Sequence, residues 1–363
     1  MNKAIRLDIK ALLVPVTEEN PTGSDLREDQ SPGSEYRALR DARTIARNNE
    51  RSALANGQTL FINPADWESI LNQAPAVLQN QSKDIEVATW LIEALTRAHG
   101  FEGLCAGFNL VRELIKGFGT ELHPQPDEEG IASQLTSLLG LNGFGGEGTL
   151  IAPIRAIPLT EEGTSVGPFA AWQCEQAFEL ERISDPAKRE SRLAQGVIAR
   201  PDIDQAVIET SNEYFQTLNN QLQDAIAEYK SFQDVLNEYC KDDPQPTSKI
   251  LEMLEGCLQT LNYIAADRLT VEDTPEQEES DNETVSTFSG KNKIDTREAA
   301  LGSLRDVAAY FRRTEPHSPI SYAIEQAVYW SQLALPALIQ ELIPDEGARN
   351  KYQNLTGIRK IGD

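Results

Sequence analysis

Between residues 203 and 239, apolar side chains recur with a period that only a long helix satisfies. Phe215, Leu218, Leu222, Ala225, Tyr229, Phe232, Leu236 and Tyr239 step alternately by three and four, which lays them along one heptad seam. At 1.5 Å per residue a helix over this run is about 55 Å long, and its aromatic-rich stripe needs a cover. A candidate follows at once. Pro244 and Pro246 break the chain, Thr247 or Ser248 can cap, and Ile250, Leu254, Cys257, Leu261 and Ile264 step again by four and three. The two runs read as an antiparallel hairpin. One hairpin does not hide two such stripes, so the seam, with Leu222, Tyr229 and Phe232 along it, is expected to pair with a second copy of the chain.

Upstream, helices also dominate. Pro15, Pro21, Gly23, Pro32 and Gly33 punctuate a looping start, followed by a helix over 34–51. Asp66-Trp67 opens another. Ser82 can cap a run carrying Ile85, Ala88, Leu91, Ile92 and Leu95 that Gly100 stops, and Leu104, Phe108, Val111, Leu114 and Ile115 repeat the pattern before Pro124 and Pro126. The stretch 149–158 reads as extended. Pro153 and Pro158 each lack the N–H that a ladder requires, so it is an edge strand or a strap across helices, and a sheet-based fold is excluded.

From Leu269 to Gly290 there are seven acids and no Lys or Arg, the composition of a solvated linker. Beyond it, Asp295 or Thr296 can cap a helix with Ala300, Leu304, Val307 and Phe311. Ser318-Pro319 launches another with Ile320, Ile324, Ala327 and Val328. About 70 residues form a meagre core, and oligomerisation commonly supplies missing burial at that size. Leu304, Phe311, Ile324 and Val328 serve within a protomer or between protomers. The expected architecture is all-α and multi-domain: a helical N-terminal domain over 1–165, a middle hairpin over 166–268, an acidic flexible linker over 269–292 and a small oligomerising domain over 293–363.

Charge narrows the function. Thirty-three Lys and Arg against 57 Asp and Glu give a net charge of −24, which repels nucleic acid and anionic lipid. The one basic stripe is Arg37, Arg40, Arg43, Arg47 and Arg51, which fits an acidic partner, the protein's own acids or an ordinary solvated face. Cys105, Cys174, Cys240 and Cys257 form no C-x-x-C pair, which fits a reducing compartment, and no segment approaches 18 uncharged apolar residues, so a cytoplasmic protein is expected.

Chemical motifs are weak. Gly143 to Gly148 matches G-x-G-x-x-G, but a helix precedes it, an extended stretch follows, and Glu147 stands where phosphate would lie, so a turn is expected. Gly163-Thr164-Ser165-Val166-Gly167 matches G-x-S-x-G, and a serine hydrolase using Ser165 is the alternative reading. It lacks a central strand, and the only downstream histidine is His317. His99, His123 and His317 show no metal-ligand spacing. No catalytic residue, metal or cofactor is expected.

A set of short motifs in fixed order resembles the ImpA N-terminal family, carried by TssA proteins of bacterial type VI secretion systems. They are Pro21-x-Gly23-x-Asp25-Leu26-Arg27, Asp66-Trp67, Ser82-Lys83-Asp84-Ile85 with Trp90-Leu91, Gly100-Phe101-x-Gly103-Leu104, Leu122-His123-Pro124, and Leu141-Asn142-Gly143 running into Gly148-Thr149-Leu150-Ile151. Residues 310–319, Tyr-Phe-Arg-Arg-Thr-Glu-Pro-His-Ser-Pro, look like the corresponding run of the shorter TssA class. The resemblance implies a non-enzymatic scaffold that forms rings through its C-terminal domain. It also implies contact with baseplate, membrane-complex, tube and sheath components at the inner membrane, and docking through Asp25, Arg27, Trp67, Lys83 and Asp84. A soluble helical adaptor unrelated to secretion is a further alternative.

Overall fold

The computed structural model describes residues 7–55, 64–128, 130–143, 146–241, 243–269, 297–314, 319–331, 333, 335–343, 345, 347, 349 and 351. The chain forms two compact units, Met1–Thr274 and Pro275–Asp363. Among the described residues both are helical, with only isolated β-bridges and no strand.

The first unit is built around a bent helix. A short α1 (Ile9–Leu12), capped by Asp8, and a 3-10 turn (Leu26–Glu28) lead to α2 (Glu35–Ala55) and α3 (Glu68–Asn80). Then α4 (Ile85–Phe118) doubles back at Gly100, whose φ of 58° suits a residue without Cβ. Its two arms lie so close that a Cβ on Gly103 would stand 2.1 Å from the Leu95 carbonyl oxygen. The first arm is buried at every position from Val87 to Arg97. Water reaches none of its faces, and most of its polar side chains find partners within the protein: Thr89 and Thr96 donate to the carbonyls one turn back, and Glu93 and Arg97 pair with α2.

Three short helices follow, α5 (Ile131–Gln134), α6 (Thr136–Asn142) and α7 (Ile151–Arg155). The last corrects the expectation of an extended 149–158. Pro153 is the third residue of α7, in the first turn, where backbone N–H groups have no intrahelical acceptor and proline is tolerated. After it, Pro158 meets Ala170 only in an isolated bridge.

The rest of the unit comprises α8 (Ala171–Arg182), α9 (Pro186–Ala194), α10 (Arg200–Glu209), α11 (Asn212–Tyr239), α12 (Ser248–Ile264) and α13 (Ala266–Leu269). Ser211 divides the long periodic run. Its hydroxyl accepts the Tyr214 N–H at 3.2 Å and starts α11 afresh, leaving a 28-residue helix about 42 Å long.

The seam of α11 is covered inside the chain. Phe215, Leu222, Tyr229 and Phe232 are buried, the last two against Phe108 on the second arm of α4 with ring centroids 4.8 and 5.0 Å apart. Glu228 beside them pairs with Arg112 of that arm at 2.6 Å and accepts from Asn109 at 3.1 Å. The other flank is taken by α12, whose start receives the Tyr229 hydroxyl at the Thr247 carbonyl. This corrects the expectation that Leu222, Tyr229 and Phe232 meet a second copy: the missing cover is α4. It also places the expected N-terminal domain and the hairpin in one unit, with no boundary at 165–166.

The second unit contains α14 (Arg297–Thr314), α15 (Ile320–Trp330) and α16 (Leu335–Leu342). Ala308, Val328 and Ile339 are buried there, while Leu304, Val307, Tyr322, Tyr329 and Leu342 are 40–61% exposed. Phe311 and Ile324 are intermediate. Residues 270–296, with most of the acidic stretch and the expected caps Asp295 and Thr296, lie outside the described residues, as do 315–318 with Pro316 and His317.

Candidate functional site

The motifs scattered over the first 150 residues converge on one structural knot. Lys83 N–H donates to the Thr22 carbonyl at 2.7 Å, His123 N–H to the Lys83 carbonyl at 3.0 Å, and Ile85 N–H to the His123 carbonyl at 2.7 Å. The His123 ring nitrogen Nε2 lies 3.0 Å from the Gly23 carbonyl. Gly23 has φ 73° and runs so close to Gln81 that a Cβ would stand 1.9 Å from its carbonyl oxygen. Asn142 ties the same region to α12, accepting from Ile250 N–H at 3.0 Å and donating to the Pro246 carbonyl at 3.0 Å. These residues are far apart in sequence and brought together as scaffolding.

Lys83 is wholly buried, and among the described residues no carboxylate accompanies it. Its ammonium donates to the Leu12 and Leu78 carbonyls at 2.8 and 2.7 Å and lies 6.0 Å from the Phe118 ring centre. Burial lowers its pKa to about 8. Trp67 is also core. Its indole donates to Glu50 at 3.0 Å, and the Arg97 guanidinium covers its face at 4.1 Å while gripping both oxygens of Glu50. Asp84 caps α4, accepting the Glu86 and Val87 N–H groups on Oδ1 at 2.9 and 3.0 Å. Burial pushes its carboxyl up, against the pull of Arg27.

Arg27 joins the buried Asp84 to the surface. It donates to Asp25 at 2.9 Å, Asp84 at 2.7 Å and Glu86 at 2.6 Å, and stacks 4.9 Å from the Tyr36 ring centre. Glu86 accepts further from the Tyr36 hydroxyl at 2.7 Å and from Ser137 at 2.9 Å. Burial alone would raise the Glu86 pKa, yet these three donors hold it below the usual carboxylate range. For Asp25, burial is likewise outweighed by the backbone and side chain of Arg27. The network opens on a cleft of about 410 Å³ whose lining includes Asp25, Glu28, Asp29, Glu35, Tyr36 and Gln81.

Of the five expected docking residues, then, only Asp25 and Arg27 reach solvent, at side-chain exposures of 29% and 26%. Glu86, Tyr36, Glu93 and Glu50 escape the sequence reading. A signal for them exists: Glu86, Trp90, Glu93 and Arg97 form one polar and aromatic row on an otherwise apolar helix, and Tyr36, Arg43 and Glu50 recur every seven residues opposite. Two polar atoms of that row stay unmatched, since Glu93 Oε1 and Trp90 Nε1 are buried without a hydrogen bond.

Ser165 lies in the loop between α7 and α8, where its hydroxyl and N–H both donate to Glu209, at 2.6 and 2.5 Å, so a carboxylate occupies it directly. Burial pushes the thiols of Cys174 and Cys257 up to about 12, away from thiolate chemistry. Gly143 and Gly148 are packed against neighbouring backbone at 2.4–2.5 Å from a notional Cβ, and Phe144 and Gly145 lie outside the described residues. Among the described residues there is no group of three His, Cys, Asp or Glu able to hold a metal, and no helix is long and apolar enough to cross a membrane.

The knot lies within a stretch that matches a known family. Residues 13–143 match the family described as ImpA, N-terminal, type VI secretion system. The whole chain is similar to type VI secretion system component TssA1 of Pseudomonas aeruginosa, at 24% identity over 97% of this chain and 98% of that one. A solved structure, the N-terminal domain including the conserved ImpA_N region of the TssA component from Burkholderia cenocepacia, superposes with a TM-score of 0.62. It is 23% identical and covers 74% of this chain and 97% of its own.

Proposed function

Since the chain belongs to the TssA family of type VI secretion components, we propose that it acts as a non-enzymatic scaffold that closes into a ring through its C-terminal unit. In this reading its N-terminal unit docks other parts of the apparatus, among baseplate, membrane-complex, tube and sheath components, and so helps coordinate tube and sheath polymerisation at the inner membrane. The observation that carries it is the set of large apolar side chains that the second unit exposes. Leu304 and Val307 stand one turn apart on α14, and Tyr322 and Tyr329 two turns apart on α15, all at least 40% exposed. Water-facing residues of that size on so small a unit are what a subunit contact buries. On the first unit, Asp25 and Arg27 are the docking residues at the surface; Asp84 holds Arg27 from beneath, and Trp67 and Lys83 belong to the core around them. Electron microscopy of the full-length protein tests this reading: closed rings are expected, and particles of single subunits would overturn it.

A further inference from the structure

The outer face of α2 reverses the charge of the molecule. Taking 100° and 1.5 Å per residue, Arg37, Arg40, Arg47 and Arg51 fall within an arc of about 80° and extend along about 21 Å. Arg43 is turned inward from this row and is committed to the buried Glu93. Arg37, Arg40 and Arg51 are exposed and Arg47 is half-buried. Among the described residues, the single carboxylate in ion-pair range of the four is Asp41, 3.8 Å from Arg40, and both of those side chains are more than half exposed. Such a pair contributes little. A chain of net charge −24 therefore leaves three guanidinium groups on one helix face without an ion-pairing carboxylate among the described residues, although acids are abundant.

We propose that this face of α2 is a docking surface for an acidic segment of a partner protein. Guanidinium groups one turn apart match carboxylates spaced three or four residues apart on a facing helix, and each can grip a carboxylate in bidentate fashion. About 80° round the helix from Arg37, at the edge of this exposed face, Ile45 is 61% exposed and offers an apolar foothold that a protein can use and a phosphate backbone cannot. The acids of the cleft at the start of α2, Glu28, Asp29 and Glu35, oppose a polyanion running past the end of the stripe. The net charge opposes nucleic acid and anionic membranes at long range. This inference deepens the docking role proposed above and rests on it for the partner being a protein.

The test uses the full-length chain and a fluorescein-labelled synthetic 20-residue helical peptide carrying Glu along one face and Leu beside it, followed by anisotropy at 50 and 200 mM salt. A DNA duplex of equal charge and phosphatidylglycerol vesicles form the competing arms. Saturable peptide binding is expected, weakened at least about tenfold in an Arg37→Glu/Arg40→Glu/Arg51→Glu variant, less in the matching Gln variant, and reduced by salt. Retained helical circular dichroism shows that these exposed substitutions leave the fold intact. Equal binding by wild type and both variants, absence of binding, or tighter binding of duplex or vesicles than of peptide would overturn the proposal. Particle mass on the same samples separates the two readings: assemblies that ignore the peptide sink the docking face alone, and single subunits that bind it sink the ring alone.

Discussion

At the scale of single residues, the informative feature is a lysine that has exchanged water for two carbonyl groups. Lys83 locks α1 to the end of α3 from a site without exposure. Lys83→Met leaves both carbonyls unpaired and is expected to cost ~2–4 kcal/mol, read from urea unfolding at pH 7. The pH dependence has a definite sign. Between about 8 and the ordinary lysine value of 10.5, the unfolded chain holds the proton that the folded chain has released. Stability contributed by this group therefore rises as pH rises through that window. Wild type should gain on Lys83→Met between pH 7 and 9.5, and a constant gap between the two would show that the amine does not titrate there. Such a role is invisible in sequence, where Ser82-Lys83-Asp84 reads equally as a docking motif or a helix start. What decides it is the loop carrying Thr22 and Gly23, some 60 residues away, which closes over the lysine.

At the scale of elements, periodicity was legible and partnership was not. The step pattern from Phe215 to Leu236 locates a helix and its buried face, but any apolar stripe could satisfy it, and the second arm of α4 does so through Phe108. Likewise Gly100 announced a break between two helical runs without showing that they fold back on each other. Pro153 misled because proline forbids a central strand and tolerates the first turn of a helix equally well. Two substitutions test this packing. Phe232→Ala should cost ~3–5 kcal/mol by opening a cavity against Phe108, while leaving the assembly mass of the folded protein unchanged. Gly103→Ala should cost ~2–3 kcal/mol, because its methyl group would meet the Leu95 carbonyl and force the arms of α4 apart. If Phe232→Ala instead dissociated an oligomer at little cost to folding, the seam would be a contact between subunits after all.

At the scale of the whole molecule, the first unit encloses the seams of its long apolar helices, whereas the second leaves Leu304 and Val307 of α14 and Tyr322 and Tyr329 of α15 exposed. The small size of the final segment suggested this from sequence alone, and Val328 proved to be core while Leu304 remained at the surface. The most direct check is the mass of the full-length protein in solution at micromolar concentration, by sedimentation velocity, beside a Leu304→Asp/Val307→Asp variant. Wild type should sediment as a defined multiple of 40.2 kDa, and the variant should fall to one subunit with its helical signal kept. A wild-type protein that sediments as a single 40.2 kDa chain would contradict the scaffold reading.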